Sequence, residues 1–401
     1  LQSRAGDIVY LSDANGETLR CAKELADMVK KGFAEADETH AMETKQRVSE
    51  LAEGAISTLE GKKKHNAVFR IAQQSGYNFG LMDHASFFDL LGEKTGTAMR
   101  ECFDGGLEKY ATNVREVAEY MSKVIKDNGI DVRKLETEMR GVKLSSGEVK
   151  MSVSQFMELY ELSMRPEAQE HLLNGSVWIE KQNKLTGQWE KDTRITLKEQ
   201  DYAAIREALT DTERNVANAM QKYMAFQDAM KGNETSRMLY GFDRYQVGGG
   251  YWTMRVDKTT TNTTERNKAT GTAELYQKPG FSHQVDAYAK NPLLIRGAFD
   301  TFVQHSLQMS AYNAFAPVTS DAMKVLNYRD AQSGASFKSA MESALGKEAQ
   351  KFYEGLIQDV NGMSRSGESV PLMGKLYRNA KAAAIMANVS VIVQQPTAYL
   401  R

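Results

Sequence analysis

The stretch richest in groups that could bind a ligand is residues 241–266, where basic and aromatic side chains lie close together in the sequence. Aromatic rings stack on nucleobases, and guanidinium or ammonium groups contact phosphates. The binding residues that this pattern predicts are Arg244, Tyr251, Trp252, Arg255, Lys258 and Arg266. They support the hypothesis of a nucleic-acid-binding module, with Lys62, Lys63 and Lys64 as a further basic cluster.

The glycine triplet Gly248–Gly250 precedes this aromatic pair. Glycine-rich loops cradle phosphates when they join a strand to the start of a helix and carry a Lys-Ser/Thr pair. Neither feature follows the triplet here. The pattern therefore favours a loop that brings Tyr251 and Trp252 into a helical body, and it leaves base stacking as the alternative.

No catalytic, cofactor or metal site is predicted. The six histidines show no i, i+3 or i+4 pairing and no HExxH motif. His84 and His283 are the remaining centres for an enzyme hypothesis, but spacing identifies no Ser, Cys or carboxylate partner for His84. A structural role is favoured for such a lone histidine. The sequence therefore predicts a protein that is not an enzyme.

Composition narrows the classes of protein to which the chain could belong. The 401 residues carry 41% hydrophobic and 26% charged side chains, which is ordinary for a globular protein. Only 6 prolines are present, which favours long helices, and the 20 methionines suit irregular gaps between them. A net charge of −1 provides no general attraction to nucleic acid or anionic lipid. Cys21 and Cys102 form no CxxC pair, which is typical of reduced thiols in a cytosolic compartment.

The element expected to position the other helices is Asn291–Tyr328. Ile295, Phe299, Val303 and Leu307 recur every fourth residue, so they would share one face of a buried helix. This interpretation places Asn291 at the cap and Pro292 in the first turn. It expects Pro317 to end the helix and a second helix, Ser320–Leu326, to follow.

The fold class predicted is mainly α, a multi-helix bundle with a small α+β insert of two β-hairpins. Three regions follow from the pattern: a long-helix region at 1–130, the insert at 131–200, and a helical bundle at 201–401 with an irregular arm at 241–280. The expected helices are Thr18–Glu60, Thr97–Asn128, Val153–Asn174 split at Pro166, Lys198–Leu209, Thr212–Tyr240, Ser336–Leu345, Lys347–Val360 and an Ala-rich Leu372–Gln394. The expected hairpins are Arg140–Ser152 and Ser176–Leu197.

The order of several phrases resembles one known family. These phrases are ASFFDLLGEKTG, SSGEVKMSVSQFMELYELSMRPEAQEHLLNG, GNETSRMLYGFDRY, HQVDAYAKNPLLIRGAFDTFVQHSLQMSAYNAFA and AAAIMANVSVIVQQPTAYLR. Together they are similar to an uncharacterised helical module of the large polyvalent proteins of phages and integrative mobile elements. The resemblance covers most of residues 85–401. It implies a piece of a much longer polypeptide whose other domains process DNA or counter host defences.

The function expected from these observations is a non-enzymatic helical scaffold or docking module, acting early in the host. Its expected partners are the flanking domains of the same long chain and other phage or host proteins, with nucleic acid not favoured and no membrane association. Its expected location is the bacterial cytoplasm, with delivery alongside phage or element DNA. The alternative is a nucleic-acid-binding module that uses the arm at 241–266.

Overall fold

The computed structural model describes residues 45–61, 83–183, 189–257, 291–330 and 334–360. It also describes residue 43 and the backbone of three short strands near the N-terminus, and leaves out the side chains of residues 358 and 359. The described chain is mainly helical, as predicted, and contains small sheets of three, two and three strands. The predicted helix Leu372–Gln394 lies outside the described residues.

Strands β1 (Gln2–Ser3), β2 (Ile8–Ser12) and β3 (Thr18–Ala22) form an antiparallel sheet. The prediction that a helix begins at Thr18 is therefore wrong. Strand β2 contains Ile8, Val9 and Tyr10, which favour strands. Pairing with β2 overrides the helix propensity of β3. The helix α1 occupies residues 45–61 instead.

Two helices follow the next described boundary. Asp83 caps the short helix α2 (His84–Asp89) by accepting from the Ser86 backbone N–H at 2.7 Å. The long helix α3 (Glu93–Asn128) has 36 residues and begins four positions before the predicted start. It ends where the sequence indicated, because Gly129 adopts the left-handed conformation at φ 61° and closes the last turn.

The α+β part begins with α4 (Val132–Thr137) and the hairpin β4 (Met139–Leu144) with β5 (Gly147–Ser152), in which Val142 lies opposite Val149. The predicted helix Val153–Asn174 is split at Pro166 into α5 (Val153–Ser163) and α6 (Pro166–Gly175). Every residue of α5 is buried, so this helix lies at the centre of the structure.

The second hairpin, β6 (Val177–Gln182) with β7 (Trp189–Ile195), acquires a third strand from far along the chain. Strand β8 (Leu293–Ile295) pairs parallel to β6. The predicted helix start at Asn291 and Pro292 is therefore wrong, and Ile295 is buried as a strand residue. The sheet offers the backbone of residues 293–295 hydrogen-bond partners that spacing alone could not reveal.

Helices α7 (Asp201–Glu207) and α8 (Asp211–Lys222) continue the chain. A π-helical segment (Tyr223–Asp228) leads from α8 directly into α9 (Ala229–Tyr240). Gly241 ends α9 in the left-handed conformation at φ 81°. An irregular segment, residues 241–257, then leads to the part of the arm that the structure does not describe.

Helix α10 (Ala298–Leu326) runs without interruption through Pro317, so the predicted break there and the separate helix Ser320–Leu326 are wrong. Proline removes the N–H that would bond to the Asn313 carbonyl and costs about 3 kcal/mol inside a helix. Beyond Pro317, Val325 and Leu326 are fully buried. Each such side chain contributes about 1.5–3 kcal/mol on burial, so packing outweighs the cost of the proline.

The last described helices are α11 (Phe337–Leu345) and α12 (Lys347–Val360), joined at Gly346 as predicted. Helices α3 and α10 pack along each other. A Cβ at Gly106 on α3 would lie 3.2 Å from the Phe315 ring, so glycine permits this close approach. The two long helices therefore form the axis on which the others assemble.

The buried side chains form two large clusters. The first contains Met121, Phe156 and Phe302, one from each of the three predicted regions. The second joins Leu59 and Phe88 near the N-terminus to side chains of the last helices. Phe299 is buried, as its position on the predicted apolar stripe requires, and Val303 is half-buried.

Candidate functional site

The structure places Trp252 inside the first core cluster with 0% of its surface exposed. Its backbone carbonyl accepts a hydrogen bond from the Arg165 guanidinium. The stacking role predicted for Trp252 is therefore wrong, because a base could reach its ring only after the core opened. The alternative, a glycine-rich loop that carries this side chain into the helical body, agrees with the structure.

Tyr251 is partly buried and has internal ring partners. Its ring centroid lies 5.6 Å from that of His305 on α10 and 4.9 Å from the guanidinium carbon of Arg165. Burial raises the pKa of the Tyr251 hydroxyl to about 12, so the side chain stays neutral. The Tyr251 ring is therefore engaged by side chains of the body.

Arg255 is also engaged internally, with 15% of its side chain exposed. Its guanidinium donates to Asp300 Oδ2 at 3.2 Å and to Gln304 Oε1 at 2.6 Å, and both acceptors lie on α10. These internal contacts compete with the phosphate contact predicted for Arg255, which stays a prediction. A guanidinium held by a buried carboxylate would leave that charge unpaired if it turned outward.

The other predicted binding residues divide into two groups. Arg244 lies over the ring of Tyr240, with its guanidinium carbon 4.7 Å from the ring centroid. Lys258, Arg266 and the cluster Lys62–Lys64 lie outside the described residues. The structure therefore does not bring the predicted basic and aromatic groups together on one described surface.

Residues 255–257, where the described part of the arm ends, lie beside residues 292–294 of the body. Asp257 donates its backbone N–H to the Pro292 carbonyl at 2.8 Å, and Leu294 donates to the Arg255 carbonyl at 2.8 Å. The buried Asp257 carboxylate also pairs with Lys191 of β7 at 2.6 Å. These contacts anchor the base of the arm to the three-stranded sheet.

Glu158 on α5 organises the start of α10. Its Oε2 accepts from the backbone N–H groups of Arg296 at 3.0 Å and Gly297 at 2.7 Å, and its Oε1 accepts from the Thr301 hydroxyl at 2.6 Å. Burial raises the pKa of this carboxyl, while the charge of nearby Arg255 and the hydrogen bonds from Thr301 and Gly297 favour its charged form. Glu158 therefore supplies the N-terminal cap that Gly297 lacks.

Asp228 lies at the end of the π-helical segment and is fully enclosed. It accepts from the Ser306 hydroxyl at 2.7 Å, and His305 Nε2 lies 3.8 Å from the same carboxylate oxygen. Burial raises the pKa of Asp228 to about 7 and lowers that of His305 to about 3. The Ser306 hydroxyl thus donates to the Asp228 carboxyl, and both side chains are enclosed in the core together with His305.

The glycine triplet has a structural contact at this π-helical segment. Gly248, at φ 89°, donates its backbone N–H to the Ala225 carbonyl at 2.8 Å. Gln221 donates to the Gly249 carbonyl at 3.0 Å. π-helical turns leave backbone groups displaced from the regular ladder, and the loop supplies a partner here.

Two further polar side chains are buried in α5 and α6. Glu161 Oε1 and both ring nitrogens of His171 have no hydrogen-bond partner among the residues that the structure describes. Burial raises the pKa of Glu161 to about 8, so its carboxyl is protonated at neutral pH. A protonated carboxyl lowers the cost of burying this side chain.

His84 has a carboxylate partner that spacing did not identify. Its Nε2 lies 3.1 Å from Asp104 Oδ1 on α3, near the surface. Cys102 is a free thiol nearby. Partial burial of the sulfur and the charge of Asp321 raise the pKa of this thiol, while Arg47 opposes the increase. His283, the other centre of the enzyme hypothesis, lies outside the described residues. Among the described side chains, no nucleophile contacts the pair of His84 and Asp104.

A groove of about 510 Å³ lies between the end of α5 and helices α7 and α8. Its lining residues are Tyr160, Ser163, Met164, Tyr202, Ala203, Arg206, Glu207 and Arg214. Arg214 is occupied by the Arg206 and Leu209 carbonyls and by Asp211. The lining of the groove therefore includes aromatic and apolar side chains. One of its cations, Arg214, already binds backbone carbonyls at the end of α7.

Within the described ranges, no group of three His, Cys, Asp or Glu side chains is placed to hold a metal ion. Over the same residues, no helix has the length and apolar character needed to cross a membrane. Comparison of the chain with family models, with curated proteins and with solved structures gives no match.

The polar groups that sequence reasoning missed are Glu158, Glu161, Asp228 and Asp300. Acidic residues in helices are usually solvated, so their types alone gave no reason to place them in the core. The available signal was the apolar density of α5, where Glu158 and Glu161 stand among Phe156, Leu159 and Leu162. An acid inside a helix that is apolar on all sides must be buried with it.

Proposed function

We propose that this chain is a non-enzymatic helical scaffold or docking module of a larger multidomain protein. One observation carries the proposal: three buried carboxylates lie inside the body and join its elements. Glu158 connects α5 to α10, Asp300 connects α10 to the arm, and Asp228 connects the π-helical segment to α10. Such groups stabilise an assembly of helices and are enclosed away from a substrate.

Exposed apolar side chains on the surface support the docking part of the proposal. In the part of the chain that the structure describes, seven large apolar side chains are more than one-third exposed: Met139, Met164, Leu173, Phe226, Met230, Met238 and Phe242. Exposed methionine and phenylalanine side chains are typical of adaptable protein contacts. The π-helical segment and α9 carry three of these residues, and Phe242 follows directly.

The biological setting that we propose comes from the resemblance to polyvalent proteins of phages and mobile elements. The module would space or dock DNA-processing or counter-defence domains of the same long chain, in the bacterial cytoplasm, soon after delivery with the element's DNA. Its partners would be those flanking domains and other phage or host proteins. The internal contacts of Arg255 and Trp252 favour this over the nucleic-acid alternative.

Hydrogen-exchange mass spectrometry tests the docking half. The chain alone is compared with the same chain joined to its natural neighbouring domains. We expect slower exchange in peptides that carry the exposed apolar residues of the π-helical segment and α9, and no change in peptides from α5, which is buried in both forms. Equal exchange throughout the described surface would contradict docking.

A titration with labelled single- and double-stranded oligonucleotides at low salt tests the alternative. We expect no saturable binding. Salt-sensitive binding that is lost in the double variant Arg244→Glu with Lys258→Glu, and kept in the control Arg237→Glu, would overturn the proposal in favour of a nucleic-acid-binding module. Arg237 is a suitable control because it is exposed close to Arg244 and lies outside the predicted binding set.

A further inference from the structure

One side of the pair formed by α3 and α10 is covered by described helices. Helix α9 packs there, because Lys231 donates to the Asn113 side chain of α3 at 3.0 Å. A Cβ at Gly232 on α9 would lie 2.8 Å from the Met309 side chain of α10. Helix α8 contacts both long helices as well. The two long helices are therefore closely packed on this side.

The other side of the pair carries a row of apolar residues, here called the α3–α10 seam. Its half-buried members are Leu107, Ala111, Ala118, Val303, Ala311 and Val318. Ala111 lies two positions before Asn113, and Ala311 lies two positions after Met309. Two positions are about 200° apart around a helix, so the seam lies opposite α9. A half-buried apolar row along two helices is a surface on which a third helix can pack.

The last described helix ends beside one end of this seam. Val360, at the end of α12, packs against the second core cluster and against the smaller cluster that contains Leu307. Val318 packs against the same second cluster, whereas Val303, at the other end of the seam, packs against the first. Residues 361–401 follow Val360 and lie outside the described part of the chain. The chain therefore leaves the described body at the Val318 end of the seam.

The sequence after Val360 contains a segment that suits an apolar seam. The predicted helix Leu372–Gln394 includes Ala382–Val393, a run of 12 residues without a charged side chain. A helix that is apolar on nearly all sides is normally buried, and this run is too short to cross a bilayer. Its alanines would permit a close approach to α3, where Ala111 and Ala118 are also small.

The charged side chains of the same segment are all basic. Residues 372–401 contain 4 basic residues and no acidic one. Three of them precede the apolar run: Lys375, Arg378 and Lys381. On α3, Glu101 and Glu108 are exposed and have no ion-pair partner among the described residues. Phe103, between them, belongs to the second core cluster, so these two acids lie towards the end of the seam where the chain leaves the body.

We propose that the predicted helix Leu372–Gln394 packs in the α3–α10 seam, parallel to α3. Its basic first half would lie beside the two glutamates of α3, and its apolar second half would lie beside Ala118. The lengths agree, at roughly 1.5 Å per helical residue. From Glu101 to Ala118, α3 rises about 26 Å, and a helix from Lys375 to Val391 would rise about 24 Å.

Hydrogen-exchange mass spectrometry on the full chain tests this packing. We expect peptides from residues 376–393 to exchange slowly in the parent, and about tenfold faster or more in Ala111→Arg with Ala118→Arg. Two large cations in the seam would block close approach and repel the basic segment. Ala203→Arg is the matched control, since Ala203 is exposed on α7 and lies outside the seam. Circular dichroism shows whether each variant keeps the helices of the body. Fast exchange of these peptides in the parent, or equal rates in the parent and the double variant, would overturn the proposal.

Zero-length cross-linking tests the direction of the helix in the unaltered protein. A water-soluble carbodiimide joins a lysine to a carboxylate that it contacts. We expect Lys375 or Lys381 to join Glu101 or Glu108, and the link should persist on dilution because both ends belong to one chain. Lys375→Arg with Lys381→Arg keeps the charges and should abolish the link.

Three outcomes of the cross-linking would overturn the proposal: links from these lysines only to Glu119 near the other end of the seam, links only between two chains, or no link at all. The inference does not rest on the scaffold proposal, and its failure would leave that proposal intact.

Discussion

Trp252 is the residue whose burial separates a core role from a binding role. Replacing it with alanine removes a fully buried indole from the first core cluster, so we expect Trp252→Ala to lower the free energy of unfolding by about 3–5 kcal/mol. Urea denaturation followed by circular dichroism measures this change. Trp178→Ala is the control, because Trp178 is only half-buried and should cost clearly less. Equal effects of the two substitutions would contradict the core role.

The buried Asp228 carboxyl predicts that the free energy of unfolding depends on pH. Its pKa is about 7 in the folded chain and 3.8 at its ordinary value, so the folded state holds a proton that the unfolded state has released between these limits. Stability from this group is present at low pH and falls as pH rises through 7. The buried Glu161, with a pKa of about 8, acts in the same direction.

The measurement is urea denaturation at pH 5.5 and pH 8.5. Each pH unit between the two pKa values changes the unfolding free energy by about 1.4 kcal/mol per group, so Asp228 alone should make the parent about 2 kcal/mol less stable at the higher pH. Asp228→Asn keeps an acceptor for Ser306 and removes the titration. It should therefore show a smaller loss. The groups that face Asp228 are Tyr223, Lys231, Tyr251 and His305. An unchanged pH slope in Asp228→Asn would contradict this account.

Helix α10 provides the prediction at the scale of an element. Pro317 lies inside the helix and removes one backbone donor, while Thr319 donates its hydroxyl to the Phe315 carbonyl at 2.9 Å. Pro317→Ala restores the donor for the Asn313 carbonyl, and we expect it to raise the free energy of unfolding by about 1–3 kcal/mol. The measurement is thermal and urea denaturation.

The control for that substitution is Phe299→Ala in the same helix. Phe299 is buried, so its truncation should lower the unfolding free energy by about 3–5 kcal/mol. If Pro317→Ala instead lowered stability, the proline ring or the bend it imposes would be needed by the packing of α10 against α3. The two variants thus separate a local backbone effect from a packing effect in one helix.

At the scale of the whole molecule, helices α3 and α10 join the two large core clusters. Met121 and Phe302 belong to the first cluster, and Phe103 and Val325 belong to the second. Between them, the rings of Tyr110 and Phe315 lie 5.7 Å apart. Since rigid helices pass through both cores, we expect the described body to unfold as one cooperative unit.

The three tryptophans allow a direct measurement, because none of them lies in the second cluster. Trp252 belongs to the first cluster, and Trp178 and Trp189 lie on strands β6 and β7, which contribute Ile179 and Ile195 to it. Phe337→Ala removes a fully buried ring from the second cluster. We expect this variant to lower the unfolding midpoint by the same amount in tryptophan fluorescence and in circular dichroism. A new early transition seen only by circular dichroism would show that the two cores unfold separately.

The sequence by itself determined the features that depend on neighbours within a few residues. Apolar periodicity predicted α3 and the pair α11 and α12, and Gly129 marked the end of α3 through its own conformational preference. Pro166 split its helix as expected, because the residue before a proline leaves the helical region. These signals are local, so they can be recognised without knowing what packs against them.

Only the tertiary structure decided the features whose partners are distant in the chain. Leu293–Ile295 forms a strand because β6 offers it a ladder, and α10 continues past Pro317 because the second core buries its end. Trp252 became a core residue, and Glu158 became the cap of a helix more than a hundred positions away. The type of a side chain limits the groups that it can bind, and the fold determines which of those groups lies next to it.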